Sequence, residues 1–213
     1  MTIRAALWIG QDESVRPDDR LTMSIPAALI DRYQRLFRFY DRDGDGVHTL
    51  SGDFLPVARD IASRSEAGPN PRPHLLQVLI ETYAHESLRR DADGDGRVTL
   101  EEFVASHAAA LNAFQTEPDQ AREFIARAAG GLFDALDIDG DGVLLPSDLA
   151  AFAASYGHPV EGISANLDRM LQELGLPPGR LPRQAFLTLV EQYWFDPSAT
   201  TPGRLLFDGV GLT

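Results

Sequence analysis

One hexapeptide pattern, Asp-x-Asp-Gly-Asp-Gly, occurs three times in this chain and constrains its fold more than any other feature. The copies begin at residues 41, 91 and 137, so successive copies start 50 and 46 residues apart. A chain in which a short unit recurs at such a spacing is built from repeated supersecondary units. Three carboxylates packed into six residues repel one another unless a cation lies between them. The pattern therefore predicts cation-binding loops rather than solvated acidic surfaces.

The spacing of the acidic residues fits the coordination of Ca²⁺, which takes six to eight oxygen ligands at about 2.3–2.6 Å. Carboxylates at positions 1, 3 and 5 of a tight loop converge on one point. A glycine at position 6 permits the turn that brings the position 7 carbonyl to the ion. A carboxylate at position 12, in the first turn of the following helix, then completes the shell.

The second loop matches this scheme throughout. Its predicted ligands are Asp91, Asp93, Asp95, the carbonyl of Arg97 at position 7, and Glu102 at position 12. Glutamate can reach the ion with both carboxylate oxygens. We therefore expect this loop to bind calcium most tightly.

The third loop has a shorter closing residue. Its predicted ligands are Asp137, Asp139, Asp141, the carbonyl of Val143, and Asp148 at position 12. Aspartate is one methylene shorter than glutamate, so bidentate coordination is harder to reach and six-coordination of Mg²⁺ is easier to accept. Position 9 is Leu145, whose side chain cannot act as a ligand. We expect weaker or less selective binding than in the second loop.

The first loop departs from the pattern at its end. Its predicted ligands are Asp41, Asp43, Asp45 and the carbonyl of Val47, and its position 8, usually aliphatic, is His48. Position 12 is Gly52, and Asp53 follows it. We interpret this as a one-residue insertion that lets Asp53 take the closing role. The alternative is a loop closed by water, to which Gly52 contributes nothing. Mg²⁺ is an expected competitor here as in the third loop.

These segments resemble the loops of EF-hands, the helix–loop–helix calcium motif. The resemblance implies that loops pair through a short antiparallel bridge at position 8, so a fourth unit is expected. Residues 174–186 have its frame, with Gly179 at position 6, Leu181 at position 8 and Phe186 at the start of the exit helix. Its loop has no carboxylates and contains two adjacent prolines, at 177 and 178. We predict a hand without metal that braces the third loop by a Leu181–Leu144 contact.

The sequence thus predicts an all-α fold of four EF-hand units in two pairs. Two-residue β bridges should join the paired loops, and apolar residues recur at helical spacing around every loop. The breaks between hands, such as residues 68–73, are not long flexible linkers, so the pairs should pack into one compact body. Residues 1–23 are expected to be a leader, and Met23 is an alternative start. The predicted boundaries are 24–115 for the first pair, 116–195 for the second pair and 196–213 for a tail packed on the body.

The tail carries a narrower resemblance. Residues 193–197, Tyr-Trp-Phe-Asp-Pro, followed by Pro-Gly-Arg-Leu-Leu-Phe at 202–207, resemble the C-terminal segment of sarcoplasmic calcium-binding proteins and their bacterial counterpart, calerythrin. That resemblance implies four hands with one degenerate, and a tail that folds onto the body. Coelenterazine-binding photoproteins share the layout and add a ligand cavity, which the sequence does not demonstrate.

Composition excludes several classes of function. With 19 Lys+Arg against 32 Asp+Glu the net charge is −13, which argues against binding to nucleic acid or to an anionic membrane. The absence of cysteine excludes disulfides and thiol catalysis. No apolar run reaches the roughly 18 residues of a membrane span, and no secretory signal is recognisable, so we expect a cytoplasmic protein. Zinc-binding, nucleophile-elbow and phosphate-loop motifs are absent, which predicts no enzymatic activity.

The expected function is that of a monomeric cytosolic Ca²⁺ buffer or signal modulator with up to three occupied loops. The first alternative is a sensor that opens a hydrophobic surface for a protein target. Such sensors use a methionine-rich groove. This chain has only three methionines, which disfavours the sensor alternative. The second alternative is a photoprotein-like module that binds a small ligand.

Overall fold

The computed structural model describes residues 25–210, so the predicted leader lies outside the described residues, as do residues 211–213 of the tail. This range contains the helices α1 Ala27–Tyr40, α2 Leu55–Ala67, α3 Leu75–Arg90, α4 Leu100–Thr116, α5 Pro118–Leu136, α6 Pro146–Ser155, α7 Ile163–Glu173 and α8 Arg183–Phe195. A π-helical turn, Leu50–Phe54, precedes α2, and short 3₁₀ helices span Pro202–Leu205 and Asp208–Val210. None of the described helices is both long and apolar enough to cross a membrane. The predicted all-α fold is confirmed.

Two short antiparallel bridges join the four loops into two pairs. Strand β1, Val47–His48, pairs with β2, Val98–Thr99, and β3, Val143–Leu144, pairs with β4, Leu181–Pro182. In the second bridge Leu144 lies opposite Leu181. The predicted two-residue bridges and the bracing role of Leu181 are therefore confirmed.

The position 6 glycines explain why each loop turns where it does. Gly46, Gly96 and Gly142 have φ of +84°, +82° and +80°, and Gly179 of the fourth unit has φ of +75°. Side chains disfavour this left-handed region because of their Cβ atom. The fourth unit therefore keeps the turn of an EF-hand although it lacks the carboxylates.

The two pairs share one core instead of having one each. The hydroxyl of Tyr33, on α1, donates to the carbonyl of Trp194 at 2.5 Å, and the hydroxyl of Tyr193 donates to the carbonyl of Arg32 at 2.6 Å. Both tyrosines are fully buried. These reciprocal bonds fix the entry helix of the first hand against the exit helix of the fourth, and they confirm the single compact body.

The tail lies against this junction and is fixed by one buried arginine. Arg32 is 7% exposed, and its guanidinium donates to the carbonyls of Gln192 (3.1 Å), Asp196 (2.5 Å) and Ser198 (2.8 Å). Burial lowers the pKa of Arg32. Farther along, Gly203 lies so close to Leu189 and its neighbours on α8 that a Cβ would overlap them. The start of the tail is therefore bonded to α1 as well as to α8.

Arg32→Ala should lower the free energy of unfolding by about 2–4 kcal/mol, because it empties the space of a buried side chain and removes the guanidinium donor from the partly buried carbonyls of Asp196 and Ser198. Chemical denaturation of the calcium-free chain measures this change. Arg127→Ala is the matched control, since Arg127 is 70% exposed in a surface pair and its loss should cost less than about 0.5 kcal/mol. Equal effects of the two substitutions would contradict an anchoring role for Arg32.

Candidate metal centres

Each of the three acidic loops gathers three carboxylates into one small space. Ligand atoms lie within 4.8 Å of one another in the groups Asp41–Asp43–Asp45, Asp91–Asp93–Glu102 and Asp137–Asp139–Asp141. Oxygens bound to one Ca²⁺ at about 2.3–2.6 Å can be at most about 5 Å apart. All three groups therefore fit around a single cation.

Backbone hydrogen bonds hold the same carboxylate inward in every loop. The position 6 amide donates to the position 1 carboxylate, from Gly46 to Asp41 at 3.0 Å and from Gly142 to Asp137 at 3.0 Å. In the second loop the corresponding bond, from Gly96 to Asp91, is 2.9 Å long. The three loops thus share one geometry at the position where the coordination shell begins.

The closing carboxylate of the second loop is fixed at both ends. Oε1 of Glu102 accepts from the amide of Ala92 at 2.9 Å, and Oε2 accepts from the amide of Thr99 at 2.9 Å and from its hydroxyl at 2.8 Å. The bonds from Thr99 lower the pKa of Glu102. The carboxylate is therefore ionised and joins the position 2 and position 9 residues across the loop.

Asp53 makes the same connection in the first loop. Its Oδ1 accepts from the amide of Arg42, at position 2, at 2.8 Å, and its Oδ2 accepts from the amide of Thr49, at position 9, at 2.7 Å. The residue is fully buried. This correspondence with Glu102 supports the prediction that Asp53, rather than water, closes the first loop.

The π-helical turn accommodates the inserted residue. The amide of Leu55 donates to the carbonyl of Leu50, five residues earlier in the chain. This wider turn accommodates the extra residue before α2 begins. A Cβ on Gly52 would collide with Oδ2 of Asp43 and touch the hydroxyl of Thr49. Gly52 therefore leaves space for a predicted ligand. Sequence reasoning missed this role, and the only available signal was a glycine at position 12.

Burial leaves the position 1 carboxylate of the first loop in need of a partner. Oδ1 of Asp41 is buried and has no hydrogen-bond partner. Burial raises the pKa of both Asp41 and Asp53. Since a buried carboxylate oxygen without a partner is costly, this donor set fits a hard divalent cation at the centre of the loop.

The third loop is closed less completely. Oδ2 of Asp148 accepts from the amide of Leu145 at 2.8 Å, which is the counterpart of the position 9 bond in the other loops. The close group in this loop is formed by positions 1, 3 and 5 and does not include Asp148. Burial raises the pKa of Asp148. This geometry supports the expectation that the third loop binds calcium more weakly than the second.

The position 7 carbonyls belong to residues at the edges of the β bridges. Val47 lies opposite Thr99, and Val143 lies opposite Pro182. An arginine at position 7 of the partner loop contacts the position 5 carboxylate in both pairs: Arg97 lies 3.9 Å from Asp45. The second contact, between Arg180 and Asp141, is 3.1 Å long. Sequence reasoning missed this cross-loop pairing.

His48 replaces the aliphatic residue of position 8 without bringing a charge. It is 1% exposed, and its ring stacks on Phe37 with centroids 4.0 Å apart. The Nε2 atom of His48 lies 2.9 Å from the carbonyl oxygen of Phe37. Burial lowers the pKa of His48 to about 4, so a neutral ring packs where an aliphatic side chain is usual.

Comparison with known proteins agrees with this geometry. The family model described as EF hand matches residues 91–105, which contain the second loop. A probable calcium-binding protein of rice (Oryza sativa subsp. japonica) is 32% identical over 149 residues, which cover 66% of this chain and 68% of that protein.

Solved structures with the same fold cover most of the chain. A sarcoplasmic calcium-binding protein from amphioxus matches with a TM-score of 0.57 and 15% identity, over 86% of this chain and 98% of the other. The coelenterazine-binding protein of Renilla muelleri, in a calcium-loaded apo form, matches with a TM-score of 0.60 and 16% identity, over 85% and 96%. At such identities these structures support the fold alone.

Glu102→Gln should raise the dissociation constant of the second loop for calcium by more than about tenfold, because a charged bidentate ligand becomes neutral. The first and third loops should stay nearly unchanged. Calorimetric titration measures all three sites, and Glu101→Gln, at an exposed neighbour, is the control. Loss of all binding in the Glu102 variant would refute independent sites.

Asp53→Asn should weaken calcium binding at the first loop, since the substitution removes the charge of the closing residue while keeping its size. The same change at Asp119, whose side chain is 98% exposed, should leave the titration unaltered. If water closes the loop instead, the Asp53 variant will titrate like the native chain.

Proposed function

The chain belongs to the EF-hand family of calcium-binding proteins, and on that premise we propose that it is a calcium buffer or signal modulator with up to three occupied loops. Membership of this family supports calcium binding itself. The buffer role rests on one further observation, which is that every described α-helix other than α3 has its apolar face covered inside the body. A sensor would need those faces for its target.

The proposed ligands follow the loop geometry. They are Asp41, Asp43, Asp45, Asp53 and the Val47 carbonyl in the first loop; Asp91, Asp93, Asp95, Glu102 and the Arg97 carbonyl in the second; and Asp137, Asp139, Asp141, Asp148 and the Val143 carbonyl in the third. The aspartate closures of the first and third loops favour competition by Mg²⁺. The second loop, closed by glutamate, is the proposed site of highest selectivity for calcium.

Contacts between the two pairs support the buffer role. Phe39, on α1, contacts Phe152 of the second pair at 5.5 Å between ring centroids and Phe207 of the tail at 4.8 Å. Met170 is the one methionine within residues 25–210, and it is buried. Opening either pair would expose aromatic surface that the other pair now covers, which is energetically unfavourable.

One observation favours the sensor alternative. No residue of α3 is buried, and Val78 and Leu88 on this helix are 54% and 80% exposed. Exposed apolar residues on one helix can contribute to a docking surface for a protein target. The experiment below therefore includes a probe of exposed apolar surface.

The ligand-binding alternative has less support within residues 25–210. His107 is 5% exposed and packs against Tyr33, with ring centroids 4.3 Å apart and ring planes tilted by 32°, so these aromatic rings pack on each other. Cavities of about 290 and 280 Å³ lie elsewhere, one beside Ile61 and Asp148 and the other among surface arginines.

We propose a monomeric cytoplasmic protein without enzymatic activity, and the absence of catalytic motifs in the sequence supports the last point.

Calorimetric calcium titration with and without millimolar Mg²⁺, combined with fluorescence of the apolar dye ANS, tests the proposal. A buffer should show two or three sites, competition by Mg²⁺ and no calcium-specific increase in ANS fluorescence. A large increase with Ca²⁺ but not with Mg²⁺ would overturn the buffer role in favour of a sensor. The absence of any calcium binding would refute the proposed ligand sets.

A further inference from the structure

The linker between α2 and α3 belongs to the first pair but lies against the third loop. It has the sequence Gly-Pro-Asn-Pro-Arg-Pro over residues 68–73, and we call it the proline strut. We infer that the strut is a positioning element for the third calcium loop, so that Asn70 and Arg72 of the first pair set the affinity of a site in the second. The inference rests on the proposed calcium binding of that loop.

The contacts of the strut are directed at the loop backbone. Nδ2 of Asn70 donates to the carbonyl of Asp139, at position 3. The guanidinium of Arg72 donates to the carbonyl of Asp137, at position 1, at 2.5 Å. Both carbonyls belong to residues whose carboxylates lie in the proposed metal group. The strut therefore bonds to the backbone that carries two proposed ligands.

Steric contacts show how closely the strut follows the loop. A Cβ on Gly68 would collide with Cγ2 of Ile138, at position 2. A Cβ on Gly140, at position 4, would lie 3.3 Å from Nδ2 of Asn70. The strut therefore contacts the loop continuously over its first four positions.

The composition of the strut makes it stiff. Three alternating prolines fix φ near −65° at residues 69, 71 and 73, and each proline also restricts the residue before it. Asn70 and Arg72 are both residues of this restricted kind. A stiff segment loses little conformational entropy when it forms hydrogen bonds, so it can hold the loop in place at small cost.

The third loop has a particular need for such support. Its carboxylates repel one another when no cation is bound. Its short closing residue, Asp148, accepts from the position 9 amide but makes no bond to position 2 of the kind that Asp53 and Glu102 make. Among residues 25–210, no side chain outside the first and second loops donates to a carbonyl at their position 1 or 3. Within the described residues, side-chain bonding to the carbonyls of positions 1 and 3 is thus a feature of the third loop.

Asn70→Ala is the cleanest test because it removes one donor without changing charge. The dissociation constant of the third loop for calcium should rise about two- to tenfold, as expected for the loss of one net hydrogen bond. Amide resonances of Gly46, Gly96 and Gly142 report the loops separately, since each amide donates to the position 1 carboxylate of its own loop. The first and second loops should not change.

Arg72→Gln gives a second variant, and Asn112→Ala, at an exposed position on α4, gives the matched control. The effect of Arg72→Gln should have the same sign but be smaller than the loss of its bond to the Asp137 carbonyl alone would suggest. The reason is that removing the positive charge of Arg72 also removes repulsion of the incoming cation. The control should titrate like the native chain.

Hydrogen exchange in the calcium-free chain provides a readout that needs no metal. Amides of residues 137–142 should exchange faster in Asn70→Ala than in the native chain, because the loop backbone has lost an anchor. Suppose that both variants bind calcium at the third loop with native affinity, as reported by Gly142, and exchange their amides at native rates. That result would overturn the role of the strut but leave the proposed calcium site intact. If the Gly142 resonance of the native chain does not shift when calcium is added, the proposed third site is refuted. The claim that the strut sets the affinity of that site then fails with it.

Discussion

Repulsion among carboxylates within each loop is the constraint on which the rest of this structure depends. Three aspartates must converge before a cation arrives, and nothing in their side chains favours that arrangement. The backbone supplies the compensation through amides such as that of Gly142, which donates to Asp137, and through the two β bridges. A bound cation removes the remaining repulsion, so binding energy becomes stability of the whole body.

That stability is shared because the two pairs cannot separate without exposing a common core. Tyr33 and Tyr193 each donate across the junction, and Arg32 connects the same junction to the tail. In a protein whose pairs move independently, calcium could open one pair for a target. Here the surface that such opening would offer is already occupied by the opposite pair, which is the physical argument for a closed buffer.

The sequence predicted those features that depend on spacing and failed on those that depend on close approach in space. The gathering of carboxylates within each loop, the turn of the fourth unit and the Leu144–Leu181 pairing all follow from the twelve-residue frame. The space that Gly52 leaves for Asp43 could not be predicted, because it depends on a π-helical turn. Residues 68–73 were recognisable only as a break between hands, since their two bonds to the third loop join residues 69 and 65 positions apart in the chain.

The three loops close in three different ways, although their first six positions are nearly identical. The second loop uses the longer side chain of Glu102. The first loop has only an aspartate, but its π-helical turn places Asp53 so that it reaches positions 2 and 9 as Glu102 does. The third loop has neither device, and Asp148 accepts from the position 9 amide without a bond to position 2. Its carbonyls at positions 1 and 3, however, accept side-chain donors from a segment of the other pair. We therefore expect backbone support, as well as the ligands themselves, to set the relative affinities of the loops.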